Sequence, residues 1–170
     1  MAQIEPLRVV HNDGVLTLGT LGPVCIYLYR DLMTSAHVAR GRALHKSQFK
    51  LHPDGLGVLI IYRTPRYIGS EMTGLRDEFV ALMREANELV KHVSVVIEET
   101  GFLGATIRAS ASGLSMLARP KFSIKYLPSS AEAIASLVTQ MKQPSMPNEA
   151  AIRTALEEMD RLPKGVLVGA

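Results

Sequence analysis

A five-residue apolar run, Val58-Leu59-Ile60-Ile61-Tyr62, stands between Gly57 and Arg63. A run so short and so rich in β-branched residues predicts a strand buried on both faces. A loop follows, Arg63-Thr64-Pro65-Arg66-Tyr67-Ile68-Gly69, and then the period changes. Leu75, Phe79, Leu82, Met83, Ala86, Leu89 and Val90 recur at three and four, with Arg76, Asp77, Arg84, Glu85 and Glu88 between them. That spacing predicts an amphipathic helix, with Ser70 as its cap and Thr73 in its first turn. A strand feeding a helix is half of a βαβ unit, and in open α/β sheets ligands and partners meet the carboxyl ends of the strands. Residues 63–75 are therefore the expected functional corner.

The remaining pattern extends this unit in both directions. Before it, 7–10 and 15–18 read as short strands around the turn His11-Asn12-Asp13-Gly14. An interruption at 19–23 precedes a further strand, Val24-Cys25-Ile26-Tyr27-Leu28-Tyr29. Thr34 or Ser35 caps a helix to about Phe49, with a thin apolar stripe of Met33, Ala36, Ala39, Ala43 and Leu44 weakened by Gly41. After the central helix come a strand at 93–97, a helix at 102–118 and an alternating, edge-like strand at 122–126. Ser129 and Glu132 frame a capping box for the next helix. Residues 142–148 read as a linker, and Asn148 caps a last helix carrying Ile152, Leu156 and Met159. The expectation is an α/β fold: a mixed sheet of five to six strands with covering helices, in a domain spanning 1–141. Residues 149–170 form an appended helix and tail, which either covers that domain or pairs two copies.

Composition narrows the function classes. The chain has 170 residues, 47% of them hydrophobic, and a formal charge of only +3, which does not demand an anionic partner. The single cysteine, Cys25, lies in an apolar strand and reads as a packed side chain in a reducing compartment. No secretory pattern opens the chain and no apolar run nears the roughly 20 residues of a membrane span. A soluble cytoplasmic protein is expected, with neither membrane nor cofactor.

The element order, and Glu71-Met72-Thr73-Gly74-Leu75 at the helix start, resemble the STAS domains of bacterial anti-sigma-factor antagonists. The likeness covers roughly residues 7–141, and 149–170 lie outside it. It implies a non-enzymatic signalling module that meets a protein partner, an anti-sigma factor or kinase-like regulator. In those antagonists a serine in an Asp-Ser-Ser-Gly-Leu-like turn is phosphorylated; by the Gly-Leu landmark that position is Thr73, with Ser70 the other phosphorylation candidate. Here Glu71 replaces the Asp and Met72 the first Ser. A phosphate adds about −1.5 to −2 charges beside the free N–H groups of a helix start. Arg66, Tyr67, Ile68, Gly69, Ser70, Glu71, Thr73 and Gly74 make up the expected contact surface, with 98–101 beside it.

Other chemistry finds less support. His11, His37, His45, His52 and His92 form no metal-ligand spacing and read as scattered surface residues. Phosphate-loop, dinucleotide and nucleophile-elbow patterns are absent from the sequence. Arg42, Lys46 and Lys50 recur every fourth residue, a solvated basic face with His45 beside it; no aromatic series suited to base stacking interleaves them, so nucleic acid is not the expected partner. The alternative function is a small-ligand domain, for a nucleotide or a lipid, with its pocket at the same strand ends.

Overall fold

The computed structural model describes residues 5–63, 68–98 and 101–169, without side chains at 68–73, 102, 103, 110 and 114. Its strands are β1 (Arg8–Asn12), β2 (Leu16–Leu21), β3 (Val24–Tyr29), β4 (Leu56–Tyr62), β5 (Val90–Ile97) and β6 (Ser123–Leu127). The helices are α1 (Ser35–Leu51), α2 (Ile68–Ala86), α3 (Gly101–Ala118), α4 (Ser130–Gln140) and α5 (Glu149–Arg161). This is the expected α/β mixed sheet with a C-terminal helix. The strands lie side by side in chain order, β1 to β6. The first three are antiparallel and β3 to β6 are parallel.

Chain-order parallel strands place every crossover helix on the same face when the crossovers share one hand. Accordingly α1, α2 and α3 cover one side, over Tyr27, Tyr29, Val58, Val93 and Val95. The other side packs Ile26, Leu28, Leu59, Ile61 and Val96 against α4 and α5. Alternate residues of β3, β4 and β5 thus supply two separate cores, which is why these strands read as unbroken apolar runs. Ile152, Leu156 and Met159 are 0%, 4% and 0% exposed in the second core. Those three side chains are therefore internal, and not a face on which two copies pair.

Three local differences from the sequence reading have physical causes. The break expected at 19–23 is shorter, because β2 runs on to Leu21. A Cβ on Gly19 would stand 3.2 Å from both the Arg8 carbonyl oxygen and the Met159 sulfur, so this glycine admits α5 rather than ending the strand. Gly22, at φ +55, makes the turn that pairs Leu21 with Val24. In α1, capped by Thr34, the buried residues are His37, Val38, Gly41, Leu44, His45 and Gln48, while Ala36, Ala39 and Ala43 face outward. Helix α2 begins at Ile68, so Ser70 lies inside it rather than capping it. No described helix is long and apolar enough to cross a membrane.

Candidate functional site

The expected corner lies largely outside the described residues. Arg66 and Tyr67 are outside them altogether, as are Glu99 and Thr100. Ile68, Gly69, Ser70, Glu71 and Thr73 belong to α2 by their backbone only, and Gly74 is exposed, with open space where a Cβ would go. What is described is the rim beside them. Arg63, directly after β4, donates to Glu98 after β5 at 2.9 Å and pairs with Asp160 of α5. The Ser130 hydroxyl at the start of α4 donates to the same Glu98 oxygen at 3.2 Å. Four elements are thus tied together where the parallel strands end.

The histidines are the main departure from the sequence reading. His37, His45, His52 and His92 are 4%, 6%, 8% and 1% exposed, not scattered on the surface. Burying an imidazole is tolerable where its nitrogens find partners. His92 has Ser123 Oγ 2.6 Å from Nδ1 and Ser94 Oγ 3.0 Å from Nε2. Burial, with Lys125 nearby, pushes its pKa down to about 4. His37 accepts the Thr34 N–H on Nδ1 and sits 2.8 Å from Asp13 Oδ2 through Nε2. His45 faces Tyr27, its Nε2 2.8 Å from the phenol oxygen.

His11, Asp13 and His37 place their ligand-type atoms within 4.8 Å of one another. Proton positions decide what this cluster does. Because His37 Nδ1 accepts the Thr34 N–H, its ring proton lies on Nε2 and is donated to Asp13. A metal on that Nε2 would displace the proton and oppose the helix cap. Asp13 also accepts the Val15 and Leu16 N–H groups at 2.9 and 2.8 Å. Burial raises its pKa, but the Leu16 N–H, His37, His11 and the Val15 N–H together outweigh burial and hold the carboxyl well below its ordinary value. The group is a brace between the β1–β2 turn and α1.

Behind that brace, between the sheet and α1, α2 and α3, lies a cavity of about 70 Å³. Val58, Ile60, Val93 and Val95 form its floor and Phe79, Leu82 and Met83 of α2 its roof. Tyr27, Tyr29, His37 and His45 line one side, and Ser115 and Tyr126 the other. The Ser115 and Tyr126 hydroxyls touch each other and both reach the Ala111 carbonyl, at 3.1 and 3.0 Å. Gly41 lets α1 settle here, since a Cβ on it would stand 2.9 Å from the Tyr27 hydroxyl. Burial pushes the His45 pKa down to about 4 and the Tyr27 pKa well up, so both are neutral at pH 7. His45 Nδ1 is buried without a hydrogen-bond partner among the described residues.

Cys25, Arg42 and Lys46 are covered or paired. Cys25 is fully buried, and burial pushes its thiol to about 12. Arg42 and Lys46 lie 2.8 and 3.7 Å from Glu85 of α2, and His45 turns inward rather than joining the basic face. The sequence could not reveal the cavity, because its lining comes from elements far apart in the chain. The only local sign was Gly41 with His37 and His45 on the inner face of a helix poor in large apolar residues. No protein family matches the chain, and neither does any curated protein or solved structure.

Proposed function

We propose that this chain is a non-enzymatic binding module that takes a small, largely apolar molecule between its sheet and the crossover helices. The observation carrying this reading is one space that joins aliphatic and aromatic walls to a few polar side chains, His37, His45, Ser115 and Tyr126. Ligand sites combine these two features: apolar walls for affinity and a few polar groups for orientation. Of the two ligand classes expected from the sequence, the walls favour the apolar one. No Lys, Arg, Asp or Glu stands among the described lining residues, so a nucleotide phosphate finds no counter-charge there. The volume of about 70 Å³ accommodates a few heavy atoms, and a larger ligand widens it.

Xenon and a series of short-chain alcohols test this. The expected result is xenon-dependent NMR shifts at Val58 and Val93, and a melting temperature that rises with alcohol concentration as ligand linkage requires. Absence of both effects overturns the reading.

A second reading keeps the corner at the strand ends as a surface for a protein partner. Its support is the STAS resemblance together with the Arg63–Glu98–Asp160 rim, which ties the strand ends to two helices next to the start of α2. In this reading the partner is an anti-sigma factor or kinase-like regulator in the cytoplasm, and phosphorylation at Thr73 releases it. Affinity capture from the native host with wild-type and Thr73→Glu protein tests it. A partner retained by the first and lost by the second supports the reading, and identical recovery overturns it.

A further inference from the structure

We infer that the cavity continues outward between α3 and β6, and that its ligand is a single-chain amphiphile whose hydrocarbon end lies inside while its polar end stays in an open surface groove. This rests on the ligand-binding reading above and adds the route in and the shape of the molecule.

Two spaces share one wall. Beside the cavity runs an open groove of about 250 Å³, bounded by Ser112, Ser115, Met116, Pro120, Ile124 and Tyr126. Ser115, Ile124 and Tyr126 line the inner cavity as well. These three side chains are therefore what stands between inside and outside. On the helix side the wall is only a serine. On the sheet side it stands on β6, the border strand, which has no strand beyond it among the described residues. A border strand is held by ladder hydrogen bonds along one margin only. The wall is fastened by the contact between the Ser115 and Tyr126 hydroxyls, both of which also reach the Ala111 carbonyl. A chain passing between the two hydroxyls breaks their mutual contact and leaves each of them that carbonyl.

The outer lip of the groove is apolar. Met116 is 76% exposed, and Leu117 beside it is exposed too. A methionine standing in water gains apolar contact when an alkyl chain lies along it. No Lys, Arg, Asp or Glu is among the described lining of the groove or of the cavity. A charged head therefore finds no counter-charge, and the polar end of the ligand is hydrated at the open mouth instead. The inner space of about 70 Å³ takes only a few heavy atoms. A linear chain fits this arrangement, with its tip over Val58 and Val93 and its remainder between Met116 and Pro120.

The test is NMR on the full chain carrying methyl-labelled methionine. Met83 lines the cavity and not the groove, and Met116 the groove and not the cavity. Xenon shifts the Met83 methyl. Octanol, kept below its solubility limit, shifts both methyls along one titration curve, at one molecule per chain. From butanol to octanol the affinity keeps rising, by about four-fold per added CH₂. Met116→Glu, a change at an exposed position, flattens that rise for the longer chains. A Met83 shift alone, two curves with different midpoints, or a rise that Met116→Glu leaves intact overturns the continuation and leaves the ligand-binding reading standing. No shift at Met83 with xenon or with any of the alcohols overturns both.

Discussion

Asp13 Oδ2 lies 2.8 Å from His37 Nε2, across a gap of 24 residues, and joins the turn between β1 and β2 to the first turn of α1. The same carboxylate holds the Val15 and Leu16 N–H groups, and the same imidazole holds the Thr34 N–H. Asp13→Ala breaks all of these carboxylate contacts at once. Hydrogen bonds to a charged group contribute about 1.5–3 kcal/mol each, and they do not add fully. Loss of about 2–3 kcal/mol in urea unfolding is expected. Asp13→Asn falls between the variant and wild type, since its amide can still accept from the backbone.

Acid tests the buried imidazoles. His45 has a folded pKa of about 4 against an ordinary 6.5, so between those values the unfolded chain binds more protons. Stability is fully present above about pH 6.5 and falls as pH drops toward 4, by up to about 3 kcal/mol from this group. His92 moves in the same direction. Asp13, with its lowered carboxyl, acts in a separate window: its contribution is present above the ordinary carboxylate value of 3.8 and is lost below it. Denaturant midpoints measured from pH 8 to 4 should decline for wild type and decline less for His45→Phe.

Gly41→Ala sets helix propensity against packing. Alanine favours a helix by about 1 kcal/mol over glycine. Here its methyl would stand 2.9 Å from the Tyr27 hydroxyl and 3.2 Å from its ring, closer than side chains normally pack. Overpacking costs about 1–3 kcal/mol, so the net effect is destabilising or neutral. Calorimetry on this variant and on Gly74→Ala makes the comparison. Gly74, with nothing within 4 Å, should show the propensity gain undiminished.

Helix α5 is part of the core. Ile152→Ala is expected to cost about 2–5 kcal/mol, as cavity-forming substitutions do. Because Ile152 is buried within its own chain, the hydrodynamic size of the folded variant should match wild type. A change in association without loss of stability would contradict that packing.

Arg63→Ala should behave differently from these core changes. Its guanidinium is partly exposed and its two carboxylate partners are at the surface, so less than about 1 kcal/mol per pair is expected. Unfolding measured at low and high salt should show the wild-type advantage shrinking as salt rises.

Wherever local pattern and tertiary demand agree, the elements could be read in advance. Residues 58–62 and 93–97 lie within strands buried on both faces, and Thr34, Ser129 and Asn148 cap the helices assigned to them. Helix α1 departs from a hydropathy ranking: Ala36, Ala39 and Ala43 are exposed, while His37, His45 and Gln48 face inward. Those polar residues are buried in a site whose partners, Asp13 and Tyr27, arrive from other strands. Such pairings are non-local, and neither periodicity nor motif spacing encodes them. The run at 19–21 continues the strand for a related reason: Gly19 answers to Met159, 140 positions away, as well as to Arg8 of β1.

The C-terminal segment has a bearing on how copies of this molecule can meet. Val168 bridges antiparallel to Val9, and Asn12 holds the carbonyls of Pro163 and Val166, so the outer margin of β1 is occupied. On the opposite margin, β6 has no strand beyond it among the described residues. A sheet with a single free border can zip onto one neighbour and then has nothing left to offer a third. Growth into fibres by strand addition is thereby stopped at a pair, and cutting the chain before Pro163 should remove that stop.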